Sequence, residues 1–182
     1  MRPLVAAVLV AAALAVPGGA SGGAAFEVRS SLGGGVTDLG TGRVYQPQPE
    51  ENAFARGRVT VVPYRAGLRL RVPLVLSLAD GVGAVELVDV RVLTAPGSTV
   101  RPAGAVIGAH CCTLEDASPV RGAVVRRRDG QVVVGVDVEL CCDPPPGWVE
   151  PLAGVEVLYR RDGVPGRYVQ PFPDIQRVVV RA

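Results

Sequence analysis

The chain has 182 residues, with 19 basic side chains against 17 acidic ones. All the basic residues are Arg, and they are scattered along the sequence. Because this leaves the protein close to neutral, composition argues against the large electrostatic footprint of a protein that binds nucleic acid or anionic membranes. Aromatic residues make up 4% of the chain, which also disfavours stacking platforms for carbohydrate or single-stranded nucleic acid.

The opening of the chain is typical of a secretory signal peptide. Arg2 supplies a short positive region, and an uninterrupted apolar run follows over 4–16. This run is shorter than the about 20 residues that cross a bilayer, and its length suits the apolar core of a signal peptide. Small residues come next, so we predict a signal peptide over 1–20 that is cleaved after Ala20, with Ala25 as the latest alternative.

The rest of the chain is long enough for one domain with a hydrophobic core. Over 21–42 the sequence is rich in Gly and Ser, which predicts a flexible arm with a short strand near Phe26 to Arg29. We predict a single β domain over 43–182. No later apolar run reaches membrane length, so the mature protein is expected to be secreted or periplasmic, in the cell envelope or the medium.

Past residue 43, apolar side chains alternate with polar ones at a period of two, the signature of strands with one buried face. The longest alternation runs from Leu68 to Leu78. Pro73 lies within it and predicts an edge strand or a bend, because proline donates no backbone hydrogen bond. Four more alternating segments are predicted as strands: 88–92, 132–140, 155–159 and 178–180.

Three Asp-Gly dipeptides predict hairpin turns, since both central residues of a two-residue type I′ turn need positive φ. They lie at Asp80-Gly81, Asp129-Gly130 and Asp162-Gly163. Apolar-rich segments flank the second of these on both sides, so it is the strongest prediction of a hairpin in the chain.

Helical signals are nearly absent, since 16 prolines and 23 glycines punctuate the chain and no capped window repeats every 3.6 residues. About seven to nine short antiparallel strands, with a turn signal roughly every ten residues, predict an all-β sandwich. In this general pattern the chain resembles immunoglobulin-like modules of exported bacterial proteins, which implies an immunoglobulin-like β-sandwich. The Cys, Trp, Cys spacing of true immunoglobulin domains is missing.

The four cysteines form two adjacent pairs, Cys111-Cys112 and Cys141-Cys142, and the first pair directly follows His110. An even number of cysteines in an exported chain predicts disulfides, because the compartment is oxidising. The preferred pairing is Cys111–Cys142 with Cys112–Cys141, or the parallel alternative. Closing a loop of about 30 residues in this way stabilises the fold by roughly 3–4 kcal/mol in the chain-entropy model.

The predicted hairpin at Asp129-Gly130 supports this pairing. A two-residue turn there would place Cys141 beside Ser118 and Cys142 beside Ala117. Both cysteine pairs would then lie at the same end of the domain.

Other uses of the thiols stay open. Vicinal bridges within each pair are possible, though sterically tight. A zinc or copper site using His110 and the thiols of Cys111, Cys112, Cys141 and Cys142 is a second interpretation, because Cys and His together suit both metals. Redox-active thiols are a third, although the Cys-x-x-Cys spacing that is usual for them is absent.

A candidate binding surface surrounds the cysteines. It consists of His110, Asp143 and Trp148, the last of which follows a stiff run of three prolines and a glycine. Three successive arginines over 126–128 could contact phosphate or sulfated glycan, although an exposed charged edge that discourages sheet-to-sheet aggregation is the simpler interpretation.

The sequence predicts no catalytic constellation and no cofactor, since one histidine leaves little room for a catalytic triad. We therefore expect an exported, non-enzymatic β-sandwich with a surface binding or structural role, whose partner is an unknown protein or small ligand. A metal-handling protein is the first alternative, and a thiol-dependent enzyme is the second.

Overall fold

The computed structural model describes residues 25–30, 35–49, 58–95, 97–109, 113–142, 144–145, 147–171 and 177–181. Within these ranges the chain is all-β, with fifteen strands, one short 3-10 turn over Arg127–Asp129 and no α-helix. The predicted signal peptide over 1–20 lies outside the described residues. In chain order the strands are β1 (Phe26–Ser30), β2 (Val36–Asp38), β3 (Val44–Tyr45), β4 (Gln48–Pro49), β5 (Arg58–Pro63), β6 (Arg69–Leu78), β7 (Ala84–Leu93), β8 (Val100–Ile107), β9 (Ser118–Pro119), β10 (Val124–Arg126), β11 (Gln131–Leu140), β12 (Val149–Pro151), β13 (Gly154–Arg161), β14 (Val164–Pro171) and β15 (Arg177–Arg181).

The strands form three sheets. The first sheet has the order β3-β2-β6-β11-β8-β9, and β1 also pairs with β6. The second sheet has the order β10-β7-β13-β14, and the third has the order β12-β15-β5-β4. One pairing departs from the predicted antiparallel arrangement, because β15 runs parallel to β5.

The inward faces of the three sheets share one hydrophobic core in a sandwich-like arrangement. Alternation predicts the burial well along β6, where every second side chain is buried and the others are partly or fully exposed. The strands predicted within β7, β11, β13 and β15 are also confirmed. In β11 the burial does not alternate, because the strand lies between β6 and β8 and every residue from Val133 to Val138 is buried. Fully buried side chains that meet in the core include Leu70, Leu74, Leu87, Val90, Val136 and Val157.

The prediction that Pro73 marks an edge strand is wrong, since β6 has β11 on one side and both β1 and β2 on the other. The pairing with β1 ends at Leu74, and the pairing with β2 begins at Arg71. Pro73 therefore lies where one neighbour gives way to the next. A residue without an N–H is tolerated in the middle of a sheet at such a break.

The predicted arm over 21–42 contributes two strands to the first sheet. β1 pairs with β6 from Phe26 to Ser30, which agrees with the short strand expected near the start of the arm. Phe26 is 1% exposed, and its ring meets that of Tyr159 edge-on with centroids 5.2 Å apart. Val36 in β2 is fully buried. These two apolar side chains fill the core, which a Gly-rich composition does not reveal.

The Asp-Gly dipeptides behave differently from one another. Asp162 and Gly163 both have positive φ and join β13 to β14, so the predicted two-residue hairpin is confirmed there. The prediction for Asp129-Gly130 is wrong, because β10 pairs with β7 and β11 pairs with β6 and β8. The chain makes a 3-10 turn at this point and passes from the second sheet to the first.

A buried carboxylate stabilises the outer face of the second sheet. Glu156 is 3% exposed and lies between Arg91, whose Nε is 2.6 Å from a carboxylate oxygen, and Arg167, which donates to the other oxygen. Burial alone would raise the pKa of Glu156, but hydrogen bonds from Arg167 and Arg91 outweigh it and hold the pKa below its ordinary value.

Candidate functional site

Three of the residues predicted to form a site are described by the structure: Cys141, Cys142 and Trp148. The other members of the predicted site, which are His110, Cys111, Cys112 and Asp143, lie outside the described residues.

Cys141 and Cys142 follow directly on the end of β11 at Leu140. The backbone N–H of Cys141 donates to the carbonyl of Thr99 at 2.7 Å, which continues the ladder for one more residue. Cys142 then takes a positive φ of 67°, a conformation that few residues other than glycine adopt. This turn ends the strand alternation, and Cys142 is exposed although the apolar pattern of β11 predicts an inward position.

The two sulfur atoms are 3.0 Å apart, so the thiols are in direct contact. A disulfide bond is about 2.05 Å long, and both cysteines are free in the described part of the chain. Hydrogen bonding to the thiol of Cys142 raises the pKa of Cys141, and burial adds to this effect.

Two side chains from neighbouring elements contact Cys141 and Cys142, which together we call the thiol corner. Tyr64, which follows β5, donates its hydroxyl proton to the carbonyl of Cys142. Arg101 in β8 places a guanidinium nitrogen 3.8 Å from the sulfur of Cys142. The corner therefore combines two thiols with a cation and a fixed carbonyl.

The register of β8 bears on the other cysteine pair. Val100 lies opposite Leu140, and the N–H of Gly108 donates to the carbonyl of Val133. Ala109, which follows Gly108, is therefore beyond the opposite end of β8 from Cys141. The hairpin geometry that placed Cys141 beside Ser118 is wrong, because Ser118 pairs with Ile107. The bridges to Cys111 and Cys112 stay a prediction without that support.

The metal site and the Trp148 surface predicted near the cysteines lie only partly within the described residues. Those residues contain no cluster of three or more His, Cys, Asp or Glu side chains arranged to hold a metal ion. The predicted zinc or copper site depends on His110 and stays a prediction. Trp148 is 41% exposed, and its backbone N–H donates to the carbonyl of Pro145 in a tight turn.

A groove that the sequence did not predict opens between the first and second sheets. It has a volume of about 460 Å³ and lies between β10 and the adjoining ends of β8 and β11. Pockets that bind small ligands typically have volumes of about 300–1,000 Å³. The walls include Ile107, Ala123, Val124, Val125, Gln131 and Val132.

Among the residues that the structure describes, the backbone of β10 presents one unpaired edge to this groove. Leu87 donates to the carbonyl of Ala123, and Arg127 donates to that of Gly83, so the hydrogen-bonded pairs with β7 fall on residues 123, 125 and 127. Val124 lies between them, opposite Glu86, in a non-hydrogen-bonded pair. Its N–H and C=O consequently point away from β7, and its side chain is 42% exposed.

Three arginines and an aspartate follow the groove residue Val125 along the chain. Arg126, Arg127 and Arg128 are all exposed, while Asp129 uses its carboxylate to accept the backbone N–H of Arg126 at 2.7 Å. Arg127 forms an ion pair with Asp80 at 2.9 Å. Arg128 lies 3.9 Å from a carboxylate oxygen of Asp129, so among the described residues Arg126 is the one of the three without an ion pair. The run of three arginines is the one signal by which the sequence could have indicated this edge.

No known protein family has a model that matches the chain, and the chain matches no curated protein. The described part of the chain contains no helix with the length and apolar character needed to cross a membrane. A function for the chain is therefore inferred from its fold, from the groove and from the thiol corner.

Proposed function

We propose that the protein is an exported, non-enzymatic binding module with an immunoglobulin-like β-sandwich, and that it binds an extended peptide segment of a partner protein along β10. The observation that carries this proposal is the backbone edge at Val124, unpaired among the described residues, beside a groove with polar and apolar walls. An added strand takes its affinity from backbone hydrogen bonds and its specificity from pockets for alternate side chains.

The partner segment would pair with the N–H and C=O of Val124. One of its apolar side chains would enter the groove and contact Ile107, Val125 and Val132. Acidic residues on either side would then face Arg126 and Arg128. The side chain of Arg128 is 80% exposed and lies 3.9 Å from Asp129, with which a partner carboxylate would compete. An extended segment that alternates aliphatic and acidic residues fits this combination of edge, groove and charge.

The opposite edge of the second sheet supports the choice of β10. The two-residue turn makes Arg161 and Val164 a hydrogen-bonded pair, so even-numbered residues of β14 direct their N–H groups to β13. Odd-numbered residues face outward, and Pro165 and Pro171 at two of these positions have no N–H to donate. Prolines on an edge prevent unwanted pairing with another strand. The three residues of β10 include no proline, so the N–H of Val124 remains able to donate.

The test uses a labelled peptide of alternating valine and glutamate, and its binding to the intact protein is followed by fluorescence anisotropy. We expect saturable binding by the wild type and a loss of affinity of about tenfold or more in Val124→Asp, because the new carboxylate repels the peptide and leaves the groove wall polar. Val44→Asp is the matched control, since Val44 is 44% exposed in β3 on the first sheet.

Affinity in the control within about twofold of the wild type is the expected result, since a factor of ten corresponds to about 1.4 kcal/mol. The proposal is overturned if the wild type does not bind the peptide, or if the two valine substitutions weaken binding equally.

A further inference from the structure

We propose that Cys141 and Cys142 form a thiol–disulfide exchange site, which reacts with small disulfides and closes to a vicinal disulfide. This site is separate from the groove at Val124, so the proposal does not depend on the proposed peptide binding. The geometry that carries it is the direct contact of the two sulfurs at 3.0 Å on an exposed corner of the molecule.

The backbone brings the two side chains to the same side. Adjacent residues in a strand point to opposite faces, which would separate two neighbouring sulfurs. The positive φ of Cys142 breaks this alternation immediately after β11. The hydroxyl of Tyr64 holds the carbonyl of Cys142, and the N–H of Cys141 is held by Thr99. Both ends of the dipeptide are therefore fixed with the sulfurs in contact.

The surroundings distinguish the two thiols. Cys142 is exposed, so a small disulfide can reach its sulfur, and the guanidinium of Arg101 lies 3.8 Å from that sulfur. Cys141 is half-buried. The raised pKa of Cys141 means that it keeps its proton more firmly than an ordinary thiol, which suits the residue that reacts second.

The reaction proceeds in two exchange steps. The Cys142 thiolate attacks one sulfur of a small disulfide, which forms a mixed disulfide and releases one thiolate. The sulfur of Cys141 then attacks that of Cys142, breaks the mixed bond and releases the second thiolate. The two protons of the cysteine pair end on the two released thiolates, so the pair is oxidised by two electrons and the small disulfide is reduced by two.

The test begins with fully reduced protein, which is incubated with oxidised glutathione, alkylated and digested with trypsin without reductant. Because the chain contains no Lys and the Arg101-Pro102 bond resists trypsin, Cys141 and Cys142 fall in fragment 129–160 and the other two cysteines fall in fragment 92–121. We expect fragment 129–160 on its own, unalkylated and about 2 Da lighter than its dithiol form.

Three variants sharpen the result. The double variant Cys111→Ser with Cys112→Ser should still close the Cys141–Cys142 bond. Arg101→Gln should slow the first step about fivefold, the effect expected of losing one exposed charge about 4 Å away. Arg161→Gln is the matched control, since Arg161 is also exposed but lies at the turn between β13 and β14, and its rate should equal that of the wild type.

Two outcomes would overturn the proposal. The first is recovery of fragments 92–121 and 129–160 joined to each other, which is the inter-segment pairing that the sequence favours. The second is fragment 129–160 with both thiols alkylated after oxidation of the double variant. Either result leaves the test of peptide binding at Val124 unaffected.

Discussion

Glu156 shows how a single residue couples the stability of this sandwich to pH. Its carboxylate is 3% exposed on the outer face of the second sheet and receives hydrogen bonds from Arg91 and Arg167. Since the folded protein holds the pKa of Glu156 below the value of 4.5 that applies when it is unfolded, the unfolded state binds more protons. The stabilisation is therefore complete above that value and is lost as the pH falls through the lower, folded pKa.

We predict that Glu156→Gln lowers the free energy of unfolding at neutral pH and that the deficit shrinks as the pH falls below about 4. At neutral pH the variant leaves two arginines without their shared negative partner, whereas in acid the wild type also loses that charge. Urea unfolding at several pH values measures both effects. Glu86→Gln is the control, because Glu86 is half-exposed and its nearest contact with Arg160 is 3.6 Å. A loss of unfolding free energy in Glu156→Gln that stays constant with pH would contradict this explanation.

The thiol corner at Cys141 and Cys142 shows which properties of individual residues the sequence does not predict. The adjacency of Cys141 and Cys142 and their position at the end of a strand follow from the sequence. The positive φ of Cys142 does not, and neither do the long-range hydrogen bonds from Tyr64 to the carbonyl of Cys142 and from the N–H of Cys141 to Thr99. Strand alternation predicts opposite faces for the two thiols, while these contacts bring the sulfurs together.

The local sequence also does not determine how each turn is formed or which strands pair. Asp162-Gly163 and Asp129-Gly130 are the same dipeptide, but in only the first does the Asp residue take positive φ. Val125, just before the second dipeptide, is buried in the second sheet, while Val134, just after it, is buried in the first. The period of two in a sequence indicates where strands lie, but it does not specify which strand lies alongside, nor that β11 is buried on both faces from Val133 to Val138.

We predict that Gly163→Ala destabilises the protein by about 1–2 kcal/mol, because an alanine at its φ of 78° is strained. Gly83→Ala is a matched control, since a methyl group there meets open space and its backbone does not have positive φ. Urea unfolding of the control should match the wild type within about 0.5 kcal/mol. Equal destabilisation by both substitutions would show that the turn between β13 and β14 is not the two-residue type I′ form.

In the molecule as a whole, the core reaches closer to the start of the chain than the composition indicates. Ala25 is 2% exposed, and its carbonyl accepts the N–H of Ala79 at 3.0 Å. Cleavage after Ala25 would place a charged amino group on Phe26, which is 1% exposed, and burying a charge without a partner is strongly unfavourable. Cleavage after Ala20 places the charged amino group on Ser21, five residues before Phe26.

We therefore predict that the exported protein begins at Ser21. Intact-mass measurement of protein recovered from the medium or periplasm identifies the first residue directly. A mature chain that begins at Phe26 would contradict the burial of β1 in the core, and a chain that retains residues 1–20 would contradict the proposed export.

Residue-level hydrogen exchange can follow the proposed binding edge at Val124 one amide at a time. In the free protein the amide of Val125, which is paired with Val85, should be protected, while the neighbouring amide of Val124 exchanges freely. Addition of the valine–glutamate peptide should protect Val124 and leave Val125 unchanged. A Val124 amide that is already protected without peptide, or that stays unprotected when the peptide is in excess, would contradict the assignment of β10 as the binding edge.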